Sequence, residues 1–108
     1  MDYYRGKRAA VTGAGDGIGR QLAIQLNRAG CALWLCDINP EKLAQTRQLL
    51  TNDGVAVYCS EVDCGDRDAI YRWAEEVAGE TEHLDALFNN AGVAYGATFA
   101  DSTDEVFE

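Results

Sequence analysis

The sequence predicts an α/β fold built on a doubly wound parallel sheet, and three observations carry that expectation. Short apolar runs alternate with segments of helical periodicity. The segments between successive runs are long enough to hold a crossover helix, which parallel strands require. A glycine-rich stretch, TGAGDGIG (12–19), occupies the first junction between a strand-like and a helix-like segment. The order reads β-α-β-α-β-α-β over a single domain, residues 1–108, with right-handed crossovers expected throughout.

The first strand is expected in KRAAVT (7–12), ended by the glycines. Ile18, Leu22, Ala23 and Leu26 then recur at helical spacing until Ala29-Gly30, where glycine offers a stop. CALWLCD (31–37) is an almost unbroken apolar run, as suits a parallel strand covered on both faces. Asn39-Pro40 opens the second helix, with Asn as cap and Pro at the first helical position. Leu43 and Leu50 mark its buried face, and Asn52-Asp53-Gly54 ends it. The third strand is expected in VAVYCSEV (55–62). Asp66 caps a third helix whose stripe is Ile70, Trp73, Ala74 and Val77. DALFNN (85–90) is the fourth strand. Ser102 and Glu105 have the spacing of a capping box that would open one more helix at Val106 and Phe107.

Composition excludes several classes. The chain holds 9 basic against 18 acidic residues, a net charge of -9, which disfavours binding to a phosphate backbone. No nucleic acid is expected as a partner. No stretch approaches the roughly 20 apolar residues of a membrane span, and MDYYRGKRAA has no apolar signal core. A cytoplasmic location without membrane association is expected. Cys31 and Cys36, then Cys59 and Cys64, are five positions apart on or near strands, so each pair points to opposite faces. That geometry suits buried free thiols, and no metal site is expected.

The glycine loop suits a phosphate, because helix N-terminal amides point outward and the macrodipole adds positive potential there. It lacks the Gly-Lys-Ser/Thr ending of a Walker loop. It also fails Gly-x-Gly-x-x-Gly, which would need glycine at Ile18 or at Arg20. The spacing that fits is Thr12-Gly13-x-x-x-Gly17-Ile18-Gly19. With Asp37 at the end of the second strand, VDCGD (62–66) after the third and NNAG (89–92) after the fourth, the chain strongly resembles the short-chain dehydrogenase/reductase family. The resemblance covers essentially the whole chain.

The resemblance implies a Rossmann-type sheet of strand order 3-2-1-4 that binds NAD or NADP across its strand ends. Gly13, Gly17, Ile18 and Gly19 would surround the pyrophosphate and adenosine ribose. Asp63 and Cys64 would lie against the adenine, and Asn90, Ala91 and Gly92 would line the ribose side. Asn89 is expected to tie the central strands together. Asp37 can accept hydrogen bonds from the adenosine ribose and would repel a 2′-phosphate, so NAD is expected over NADP. Asp16 and Ile38 agree, standing where NADP-preferring relatives often carry a basic residue.

The same resemblance implies hydride transfer between the nicotinamide and a small alcohol or carbonyl substrate. The tyrosine base, its lysine, the positioning serine and a supporting asparagine would all lie beyond the fourth strand, so no catalytic residue is expected here. On this reading the chain is the cofactor-binding part of a longer, homo-oligomeric enzyme and is inactive alone. The alternative is a non-catalytic dinucleotide-binding or regulatory module. Tyr3-x-x-x-Lys7 matches the catalytic spacing but precedes the first strand, without helical context. His83 reads as an exposed loop residue, and Trp34 and Trp73 as core. Tyr95 and Phe99 are the residues that could approach a substrate.

Overall fold

A computed structural model describes residues 2–91. Four strands, β1 (Arg8–Thr12), β2 (Ala32–Asp37), β3 (Val57–Glu61) and β4 (Ala86–Asn89), form one sheet in the order β3-β2-β1-β4. All three pairings are parallel. Helices α1 (Gly17–Arg28), α2 (Pro40–Leu49) and α3 (Arg67–Glu80) supply the crossovers, and a 3-10 turn (Asp2–Tyr4) precedes β1. The expected capping pair Ser102 and Glu105, together with Gly92, Tyr95, Phe99, Val106 and Phe107, lies outside the described residues.

Alternation along the strands divides the core in two. Ala9, Val11, Leu33 and Leu35 face α1 and α2, where they meet Ala23, Leu26, Leu43 and Leu50. Ala10, Trp34 and Cys36 face the other way and pack with Ile70, Trp73 and Val77 of α3. Leu26, Leu33 and Leu35 are fully buried, and each contributes about 1.5–3 kcal/mol of transfer free energy. Asn39 caps α2 by accepting from the Lys42 amide at 3.0 Å, and Asp66 caps α3 by accepting from Asp68 and Ala69.

Three positions depart from the expected burial. Ile18 is 75% exposed because it lies in the first turn of α1, beyond the end of β1, where no strand is left to cover it. Ala74 is exposed on α3, off the line of Ile70, Trp73 and Val77 that meets the sheet. Cys59 is exposed, unlike buried Cys31, Cys36 and Cys64, because β3 is a short edge strand with open surface.

One buried polar contact locks the far end of this layer. Asn27 is fully buried; its Nδ2 donates to the Asn52 carbonyl (3.2 Å) and its Oδ1 accepts from the Asn52 amide (2.9 Å). The Asn52 side chain returns a bond to the Asn27 carbonyl at 3.1 Å. Asn27→Ala strands both groups of Asn52 and opens a void, so a loss of about 2–4 kcal/mol is expected in urea unfolding. A loss below about 1 kcal/mol would show that water replaces the latch at little cost.

Candidate functional site

Parallel strands with right-handed crossovers bring their C-terminal ends to one edge of the sheet, at a point where the strand order reverses between β1 and β4. β1 ends at Thr12, β2 at Asp37 and β4 at Asn89. The glycine loop leaves β1 on this edge and enters α1 with Asp16 as cap, its Oδ1 accepting from the Gly17 amide at 2.8 Å. The first turn of α1 therefore presents the amides of Ile18 and Gly19 without intrahelical acceptors, at the positive end of the helix dipole.

The loop is held tightly, and Gly13 and Gly19 show why it needs glycine. Gly13 has φ +65°, a left-handed conformation, and an added Cβ would come within 3.2 Å of the Ala91 Cα. At Gly19 the obstacle is contact, since a Cβ would strike the Gly13 carbonyl and come within 2.8 Å of Asn90 Nδ2. The end of β4 completes the arrangement. Asn90 Nδ2 donates to the Gly13 carbonyl at 3.4 Å. The Thr12 hydroxyl donates to Asn89 Oδ1 (2.9 Å) and accepts from the Ala91 amide (3.1 Å), tying β1 to β4.

Beside the loop lies a cleft of about 370 Å³ lined by Gly13, Asp37, Ile38, Val62, Asp63, Cys64, Gly65 and Ala91. It thus gathers Gly13, Asp37, Asp63, Cys64 and Ala91 of the sequence-derived set. Asp16, Gly17, Ile18 and Gly19 lie along the adjoining loop and helix start, Asn90 follows β4 and reaches the Gly13 carbonyl, and Gly92 is outside the described residues. Asp37 accepts from the Gly15 amide through Oδ2 (2.8 Å) and from the Asn39 amide through Oδ1 (2.9 Å). Each oxygen keeps a further lone pair for a ligand hydroxyl. Asp63 is exposed, and its Oδ1 accepts from the Gly65 amide at 2.8 Å, which shapes the turn after β3.

Cys64 meets Cys36 beneath this cleft, one thiol from each of the pairs that sequence spacing had kept apart. The Cys36 thiol is pushed well above its usual range by its hydrogen bond with Cys64 and by burial. Both remain free thiols.

Sequence reasoning missed the residues that brace the loop from behind. Arg20 Nε donates to Thr46 Oγ1 (2.9 Å), while its NH2 donates to the carbonyls of Gly15 (2.6 Å) and Lys42 (3.1 Å). Buried Thr46 in turn donates to the Ala14 carbonyl at 2.8 Å. A polar Thr46 one turn after Leu43, on the buried side of α2, was the available signal.

The decoys fall away on position. Lys7 Nζ stands 4.9 Å over the ring of Tyr3, and the pair precedes β1, at the opposite end of the sheet from the glycine loop. His83 is exposed, with Nδ1 3.1 Å from an Arg8 guanidinium nitrogen and Nε2 3.5 Å from Asp85. A larger depression, about 870 Å³, lies among Arg5, Ala29, Gly30 and Asn52. It sits where α1 ends, so the dipole there disfavours an anion. Among the described residues no group of three or more His, Cys, Asp or Glu could hold a metal, and no helix is long and apolar enough to cross a membrane.

Comparison with known proteins agrees with this geometry. The family profile described as short chain dehydrogenase matches residues 7–108. Epidermal retinol dehydrogenase 2 of Mus musculus is 40% identical over 104 residues, covering 95% of this chain and 34% of that protein. Estradiol 17-beta-dehydrogenase 11 of Macaca fascicularis is 37% identical over 103 residues, with coverage of 95% and 34%. The chain therefore spans about a third of the length of the curated relatives it matches. Among solved structures, an NAD+-bound xylitol dehydrogenase superposes with a TM-score of 0.76 at 34% identity, covering 82% of this chain and 34% of that one. A metagenomic short-chain oxidoreductase in complex with NADP gives 0.75 at 34% identity, covering 82% and 40%.

Proposed function

Because the chain belongs to the short-chain dehydrogenase family, we propose that it is the cofactor-binding part, a single domain over residues 1–108, of an NAD-dependent oxidoreductase. The parent enzyme passes hydride between the nicotinamide and a small alcohol or carbonyl substrate. The observation that carries the reading is the Asp37 carboxylate, held at the rim of the cleft between the glycine loop and the turn after β3.

The residues fit a dinucleotide on physical grounds. The space a Cβ would fill at Gly13 and Gly19 is already taken by neighbouring atoms, and the first turn of α1 leaves the Ile18 and Gly19 amides for a pyrophosphate. Asp37 can receive the adenosine ribose hydroxyls through its remaining lone pairs, with charge-assisted bonds of roughly 1.5–3 kcal/mol. A 2′-phosphate there would meet a like charge, so NAD is the preferred form. Val62, Asp63, Cys64 and Ala91 form the remaining wall, suited to a flat base and its sugar. When bound, the cofactor supplies the hydride carrier; these residues bind and orient it. The proton-handling serine, tyrosine and lysine of the family pattern lie beyond the fourth strand, so the chain by itself binds without turnover.

Calorimetric titration tests the reading. Saturable NAD binding is expected, with NADP at least about tenfold weaker, the equivalent of a single charge-assisted contact. No binding of either dinucleotide would overturn it.

A further inference from the structure

Two thiols from separate segments meet at the floor of the cleft, and dinucleotide binding calls on only one of them. Cys36, near the end of β2, is fully buried on the face of the sheet that packs against α3. Cys64 comes from the turn after β3, belongs to the same core cluster, and is 7% exposed where it lines the cleft. The backbone fixes their approach. Cys36 stands beside Ser60 in the sheet, and the Val62 amide donates to the Asp37 carbonyl at 3.0 Å. The chain therefore stays against β2 until two residues before Cys64. The Cys36 thiol donates a hydrogen bond to the Cys64 sulfur, which holds Cys64 below its ordinary value against burial and the Asp37 and Asp63 carboxylates. Cys31 packs in the opposite core layer and Cys59 is exposed on β3, so neither belongs to this contact.

We propose that Cys64 and Cys36 form a peroxide-sensitive thiol pair, closing reversibly to a disulfide that reshapes the cleft. Cys64 has the open side, so its thiolate attacks hydrogen peroxide. The S–O bond forms, the O–O bond breaks, hydroxide leaves, and Cys64 becomes a sulfenic acid. The Cys36 sulfur then attacks the Cys64 sulfur, forming S–S and breaking S–O, and its proton leaves with the oxygen as water. The two thiols lose two electrons and the peroxide gains them. A disulfide sets its sulfurs about 2.0 Å apart, closer than any hydrogen-bonded pair, so one side must move. Cys36 is held between β1 and β3. Val62 is tied to β2 and Asp66 caps α3, which leaves Asp63, Cys64 and Gly65, a wall of the cleft, to yield. The effect on NAD rests on the dinucleotide-binding reading above; the thiol chemistry does not.

The test uses the chain carrying Cys59→Ser, which removes the exposed thiol. After hydrogen peroxide, peptide mapping is expected to give a Cys36–Cys64 linkage that dithiothreitol reverses. In the same samples the calorimetric Kd for NAD should rise about tenfold on oxidation and return on reduction. Adding Cys36→Ala removes the second thiol, so sulfenic acid should accumulate on Cys64 and be captured by dimedone. Absence of the linkage, or a linkage that moves the Kd by less than about threefold, overturns the inference while NAD binding by the reduced chain stands. If the reduced chain binds no dinucleotide, the NAD reading falls alone, and the mapped linkage still decides the thiol pair.

Discussion

Gly19→Ala is expected to cut NAD affinity at least about a hundredfold while leaving the sheet folded. The added methyl strikes the Gly13 carbonyl and comes within 2.8 Å of Asn90 Nδ2, so backbone and not a flexible side-chain tip must move. Overpacking of this kind costs about 1–3 kcal/mol, less than the 5–15 kcal/mol of a typical domain. The loss therefore falls on the loop. Gly13, already at φ +65°, shifts away from β4, and the amides that face a pyrophosphate lose their alignment. Gly79→Ala is the control, since a Cβ at that helical position meets nothing within 4 Å. It should be neutral or stabilising by up to about 1 kcal/mol. Calorimetry on both variants, with urea unfolding alongside, makes the comparison. NAD affinity within threefold of the unaltered chain for Gly19→Ala would remove the tight loop from the account of binding.

Asp37→Ala is expected to erase the discrimination between NAD and NADP. The variant loses the acceptor for the ribose hydroxyls, worth roughly 1.5–3 kcal/mol for NAD. It also loses the repulsion of a 2′-phosphate, on the order of 4 kcal/mol per unit charge at ~4 Å and intermediate dielectric. The two effects act in the same direction on the ratio. The geometry adds a qualification to the absolute affinities. Asp37 also binds the amides of Gly15 and Asn39, so its removal loosens the loop and both dinucleotides weaken. The ratio of the two Kd values is the sound measure. A full NAD-over-NADP ratio in this variant would show that the carboxylate does not face the ribose.

Much of the architecture was legible because it is written in local patterns. The caps Asn39 and Asp66 lie next to their helices, and the apolar run 31–37 declares a strand covered on both sides. The errors share a cause. Periodicity marks Ile18 as apolar and in phase, but cannot say that the sheet ends one turn before it. Spacing sends Cys31 and Cys36 to opposite faces, and says nothing of Cys64 arriving from another segment. Arg20 and Thr46 were invisible for the same reason. An arginine on a helix reads as solvated until the fold brings two carbonyls and a threonine hydroxyl of two other segments to it.

The double grip on Asp37 has a consequence for the rate at which a ligand is caught. A carboxylate free to rotate must be ordered during each encounter, and that ordering slows capture and weakens it. Here the glycine loop holds one oxygen and the cap of α2 holds the other, before any ligand arrives. The rotational entropy is surrendered once, when the chain folds. The adenosine end of a dinucleotide then meets a rigid socket, so its arrival should be limited by diffusion and orientation, with no waiting for the protein to rearrange.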